Sequence, residues 1–140
     1  MSTQTYQPAP DETIGQFADL VFQRLFFQST DMALVDATFE HDVAPDASIT
    51  ANGKSMTPAE FLESIRGFHQ IGVGKLLWIK DLAVVPYDPA GRTGIVAQHS
   101  MFSLTMKADG SVKEFTSVAL CKVEERNGRR VLASVAEVQT

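Results

Sequence analysis

Three histidines, a single cysteine and a scatter of carboxylates are the side chains of this chain best suited to proton transfer or nucleophilic work. Imidazole, with an ordinary pKa of about 6.5, can take or give a proton at neutral pH. His69 closes a stretch with helical spacing, on the face that carries Phe61 and Ile65. It can act there as general acid or base, or simply be a helix-end residue favoured by the dipole. His41 directly precedes Asp42 in Phe39-Glu40-His41-Asp42. An imidazole–carboxylate pair can orient a proton, although neighbours on a turn need not face each other. His99 stands mid-strand in the phase opposite to Gln98, and a one-residue slip in register would turn it to the other face. Trp78 and Asp81 are also in opposite phases on one strand. An inward Asp81 supplies a carboxylate; an inward Trp78 supplies a stacking platform for a ring. The plain alternative is Trp78 in the core and Asp81 in solvent.

Other chemistries find no support. Gly72-Val73-Gly74-Lys75 lacks the full spacing of a phosphate cradle and reads as a helix terminator. There is no H-E-x-x-H, no G-x-S-x-G and no paired metal-ligand spacing, so no metal site and no cofactor are expected. Cys121 alone excludes an intrachain disulfide and a cysteine-rich zinc cage. Twelve basic against seventeen acidic residues leave a charge of −5, the wrong sign for a nucleic-acid or anionic-membrane partner. Arg126, Arg129 and Arg130 alternate with Glu124 and Glu125 around a turn, which reads as a solvated hairpin tip. No apolar run approaches the ~20 residues of a membrane span. The first ten residues lack the basic and apolar regions of a signal peptide. A soluble, cytoplasmic protein is the expectation.

At 140 residues with 44% hydrophobic and 21% charged side chains, the chain can bury one sizeable core. Residues 1–10 read as a flexible arm and 11–140 as a single domain. Asp11 or Thr13 can cap a first helix, Thr13 with Gln16 as a capping box. Ile14, Phe17, Ala18, Val21 and Leu25 follow at helical spacing, and Phe22, Phe26 and Phe27 widen its apolar surface. Thr30-Asp31 opens a second helix through Phe39. Val43 to Met56 reads as a short strand and turn around Asn52-Gly53. Thr57-Pro58-Ala59-Glu60 is a capping box with proline in the first helical position, and Gly72 and Gly74 end the helix it starts. Beyond Lys75 the period changes to two over segments 75–86, 93–107, 111–125 and 129–138, separated by Asp88-Pro-Ala-Gly91, Asp109-Gly110 and Asn127-Gly128. A four-strand antiparallel meander follows. Helices first and a curved sheet afterwards make the fold class α+β.

The aromatic first helix through Phe27, the second helix ending in Phe39, Pro45-Asp46-Ala47-Ser48-Ile49-Thr50 with Asn52-Gly53, the helix from Pro58 to Phe68, and the strand–turn–strand from Lys122 to Val131 are quoted together for a reason. Over about residues 12–138 this order resembles the NTF2-like superfamily, the α+β cone or SnoaL-like proteins. The resemblance implies three N-terminal helices packed on a curved antiparallel sheet around an apolar pocket. Its members include ketosteroid isomerases, polyketide cyclases, dehydratases and epoxide hydrolases, and many catalyse nothing.

Threading onto the isomerases puts their carboxylate base at about Ala51 and their hydrogen-bonding acid at about Cys121, so the usual isomerase groups are absent. The same threading turns Gln98, Ser100, Phe102, Leu104 and Met106 toward the pocket. It adds Phe115, Ser117, Ala119 and Cys121, then Leu132, Ser134, Ala136 and Val138, and it leaves no carboxylate inside. His69 would lie near the cone mouth, and His99 would face away. The implied function is a pocket for a small apolar molecule. If catalytic, it is a cofactor-free isomerase, cyclase or dehydratase using His69, His41 and Asp42, with Trp78, Gln98, Ser100, Phe102, Phe115, Ser117 and Cys121 as ligand-binding residues. The contrasting reading is a non-catalytic binding or dimerisation module. Met101, Val118, Leu120 and Val135 would form an apolar patch on the outer sheet face, with Glu114, Lys122 and Glu137 as its rim. That patch predicts a homodimer built sheet to sheet.

Overall fold

The computed structural model of the chain describes residues 6–8, 13–28 and 31–140. Helix α1, Ile14–Phe22, starts at the Thr13–Gln16 capping box. It continues as a π-helical turn, Gln23–Phe27, whose extra residue per turn lets both Phe26 and Phe27 reach the interior side. Asp31 caps α2, Met32–Asp42. This helix runs past Phe39, so His41 and Asp42 are its last turn and not a loop after it. Helix α3, Pro58–Ile71, begins at the Thr57–Glu60 box. The alternative caps Asp11 and Thr30 lie outside the described residues.

Six strands follow the helices or alternate with them: β1 Val43–Ala51, β2 Lys54–Met56, β3 Gly72–Pro86, β4 Gly94–Met106, β5 Val112–Arg126 and β6 Arg129–Gln139. Their order in the sheet is β2-β1-β6-β5-β4-β3, antiparallel except for the parallel pair β1·β6. The β1–β2 and β5–β6 turns place Asn52-Gly53 and Asn127-Gly128 at left-handed φ of 52° and 78°, and 54° and 77°, the conformation Asn-Gly hairpins require. Three helices packed on a mostly antiparallel sheet make the architecture α+β. Gly72 and Gly74 open β3 instead of merely stopping α3. A Cβ at Gly74 would lie 2.5 Å from the Phe68 ring, so only glycine lets the strand pass this close beneath the helix.

Three irregularities decide which side chains face inward. In the β5–β6 ladder Lys122 pairs with Ser134 but Val123 pairs with Leu132, leaving Ala133 as the extra residue of a bulge. Side chains beyond Ala133 therefore exchange faces. Val135, Glu137 and Gln139 turn inward, while Ser134, Ala136 and Val138 turn outward, the reverse of strict alternation from Leu132. In β3, Leu77 and Leu82 are similarly unpaired. Trp78 and Lys80 then share the outer face with Met101 and His99, and Ile79 and Asp81 share the inner face with Ser100 and Gln98. The core gathers Ile14, Val21, Leu25, Ile65, Val96, Cys121, Val123 and Leu132. Among the described residues no helix is long and apolar enough to cross a membrane.

Candidate active site

On α1, Asp19, Phe22 and Phe26 fall at three- and four-residue spacing, so one stripe of this helix carries a carboxyl among phenyl rings. That stripe roofs a cavity of about 250 Å³ over the inner sheet face. Phe22, Phe26, Phe27, Phe68 and Ile71 line the helical side. Leu76, Ile79, Gln98, Ser100, Phe102, Leu104, Phe115, Ser117, Ala119, Glu137 and Gln139 line the sheet side. The rings brace one another: Phe102 stacks on Phe115 with centroids 5.2 Å apart, and Phe26 meets Phe68 edge-on at 5.2 Å. Among the described residues no Lys, Arg or His lines the cavity.

Two carboxyl groups reach this apolar wall. Burial pushes the Glu137 carboxyl above its ordinary range, and the Ser117 hydroxyl, donating to Oε2 at 2.8 Å, partly opposes that shift. Burial also pushes Asp19 up; Gln23 Nε2, donating at 3.0 Å, pulls it down, and the Asp81 charge pushes it up again. Asp81 is held by its neighbours. Gln98 Nε2 donates at 2.9 Å both to its Oδ1 and to the Gly15 carbonyl. Any Cβ at Gly15 would lie 2.2 Å from Asp81 Oδ2, so glycine there admits the carboxylate against the helix backbone. Gln98 is itself 3% exposed, and its buried Oε1 has no hydrogen-bond partner among the described residues.

Of the residues expected to face the pocket, Gln98, Ser100, Phe102, Phe115 and Ser117 stand on the cavity wall. Cys121 does not: it is enclosed in the core, and burial pushes its thiol up to about 12. Trp78 is turned away by the bulge at Leu77 and meets the His99 ring edge-on at 4.7 Å on the outer face. His69 is also absent from the wall. Its Nε2 lies 2.7 Å from the Leu25 carbonyl and donates to it, so the ring ties α3 to the π-helical turn. His41 and Asp42 lie beside a separate groove of about 120 Å³ lined by Tyr6, Pro8, Phe17, Asp42 and Arg129 among others. Arg129 Nη1 donates to His41 Nδ1 at 2.6 Å, and the Tyr6 hydroxyl donates to Asp42 Oδ1 at 2.8 Å. Neither residue reaches the cavity. Among the described residues no cluster of His, Cys, Asp and Glu is arranged to hold a metal ion.

The expectation of a carboxylate-free lining is therefore overturned by Glu137 and Asp19. For Asp19 the sequence held a signal that the expectation did not use, an acid within a phenylalanine stripe at helical spacing. Glu137 carried no such signal, because nothing in Ala133-Ser134-Val135 announces a bulge.

No family model matches the sequence, and no curated protein matches it either. Solved structures do match in shape. A conserved protein from Planctomyces limnophilus superposes with a TM-score of 0.73 at 16% identity, covering 90% of this chain and 95% of its own. A ketosteroid isomerase-like protein from Erwinia carotovora gives 0.66 at 16%, covering 91% and 93%. An NTF2-like protein of unknown function from Exiguobacterium gives 0.58 at 17%, covering 92% and 98%. The fold is NTF2-like. Within this NTF2-like frame Ala51, the position where the resemblance puts an isomerase base, pairs in parallel with Glu137 of β6. Paired residues of a parallel ladder share a face, so an acid stands one strand away from that position.

Proposed function

We propose that the chain is a cofactor-free acid–base enzyme, an isomerase, cyclase or lyase, acting on an apolar ring-containing small molecule. One observation carries the reading: Glu137 sits on the wall of a phenylalanine-lined cavity, its carboxyl accepting from the neutral Ser117 hydroxyl. A carboxyl whose proton affinity is raised by burial holds a proton more readily than a solvated one, and a positioned carboxyl can serve as general acid or base. The rings exclude water and hold a flat apolar skeleton against the acid. Ser117 fixes the carboxyl orientation, and Asp19 offers a second acid from the helical side. The contrasting reading, a non-catalytic module, drew its support from a lining without carboxylates, which this cavity does not have.

The test needs no knowledge of the natural substrate. In deuterated buffer, 1-tetralone and ring ketones bearing a basic nitrogen are followed by NMR for deuterium uptake beside the carbonyl. Wild-type protein should accelerate uptake, and Glu137→Gln should slow it by at least about 100-fold, the usual contribution of a positioned acid or base. Equal rates in wild type and variant would remove Glu137 from any such chemistry.

We also propose that two copies pair through the outer sheet face. Trp78, Val118, Leu120 and Val138 are each at least 41% exposed there, with Val138 replacing the buried Val135 in the expected patch. Val118→Lys should turn a dimer into a monomer in light scattering at micromolar concentration. A monomeric wild type would discard this interface.

A further inference from the structure

The polar groups of the cavity are unequal in kind. Gln98 Nε2 is committed to Gly15 and Asp81, Gln23 Nε2 to Asp19, and the Ser117 hydroxyl to Glu137. Turning the Gln98 amide over would set its oxygen against a carbonyl and a carboxylate, so its orientation is fixed. What the cavity wall retains is the Asp19 carboxyl and the Glu137 carboxyl, while the partnerless Oε1 of Gln98 is buried behind it. Ser100 and Gln139 can donate or accept.

Charge points the same way. Asp81 is packed against Gly15, one helical turn from Asp19, and adds a third carboxyl at this end. Among the described residues no cationic side chain lines the cavity or offsets Asp19 or Glu137. Six phenyl rings surround the space, and aromatic faces attract cations. An anionic ligand would add repulsion, and a neutral one would leave the carboxyl groups uncompensated.

We infer that the ligand is an apolar ring compound carrying one protonated nitrogen, with the ammonium group at the α1 end against Asp19. This rests on the reading of the cavity as a small-molecule site. An ammonium group brings N–H donors and no acceptor, the complement of what this end presents. It places positive charge where Asp19 and Asp81 repel each other, in surroundings where a charge-assisted hydrogen bond is strengthened. The rings then fill the phenylalanine-lined remainder, and Glu137 is left on the sheet wall to move a proton.

Isothermal titration with three probes of one skeleton tests it: 2-naphthylmethylamine, 2-naphthalenemethanol and 2-naphthoate at neutral pH. Wild-type protein should bind the amine at least about tenfold tighter than the alcohol, and the carboxylate most weakly. Asp19→Asn should bring the amine down to the affinity of the alcohol and leave the alcohol unchanged. The wild-type series decides even where that variant does not fold. An alcohol bound as tightly as the amine, or a preference that survives Asp19→Asn, overturns the inference and leaves the cavity reading standing. Failure of all three probes to bind overturns both.

Discussion

Two sets of carboxyl groups are withdrawn from water in this protein, and they are treated in opposite ways. Asp42, at the end of α2, is 4% exposed. Burial pushes its carboxyl up, but the Tyr6 hydroxyl, Arg24, His41 and Arg129 all pull it back. Arg24 approaches Asp42 Oδ2 to 3.9 Å while lying over the Tyr6 ring at 5.6 Å, and Tyr6 stacks on His41. Around Glu137 and Asp19 the hydrogen-bond partners are neutral, and among the described residues no cation answers the charge. A buried acid surrounded by cations is part of the scaffold. One left among phenyl rings keeps its proton affinity available for chemistry. The sequence pair His41-Asp42, attractive as a catalytic unit, belongs to the first kind.

The comparison breaks most visibly at Arg24. Arg24→Met removes the nearest cation from a buried acid and should destabilise the fold by about 3 kcal/mol, because the buried carboxyl loses its ion-pair partner. Urea denaturation measures it, and an unchanged midpoint would mean that Asp42 does not depend on its arginine. Glu137 should show a smaller effect with a distinctive pH dependence. Its folded-state pKa is raised, so between the unfolded and folded values the native state binds more protons, and stability falls as pH rises through that window. Glu137→Gln should flatten this part of the stability curve and leave the protein at least as stable as wild type at neutral pH. A parallel decline in both proteins would show that Glu137 is not the group titrating. Thr57→Ala lies outside both clusters and sets the baseline. Losing the cap that receives the Glu60 amide at 3.1 Å should cost about 1 kcal/mol, and an unmoved midpoint would show that α3 does not rely on its box.

Features written in local chemistry were legible. Thr57-Pro58-Ala59-Glu60 and Thr13 with Gln16 start helices because their side chains answer backbone N–H groups within three residues. Asn127-Gly128 makes its hairpin because those residues tolerate left-handed backbone. Strand phase was legible only while the ladder ran unbroken. From Gln98 to Leu104 and from Phe115 to Ala119 alternation put the right side chains on the cavity wall. Beyond Ala133, and across Leu77 and Leu82, single unpaired residues reversed it, and no composition cue marks them. His69 misled for another reason: its ring satisfies a backbone carbonyl in the π-helical turn, a long-range need that helical spacing does not reveal.

The bulge at Ala133 leaves β6 one residue longer than its ladder with β5 needs. Deleting that one codon would make Leu132 and Ser134 neighbours, still paired with Val123 and Lys122, and plain alternation from Leu132 would then run inward through Val135 and Glu137. The acid would keep its place on the cavity wall with no amino acid exchanged for another. Ala133 is thus spare length: the strand can lose it without turning a proton-handling interior into a purely greasy one.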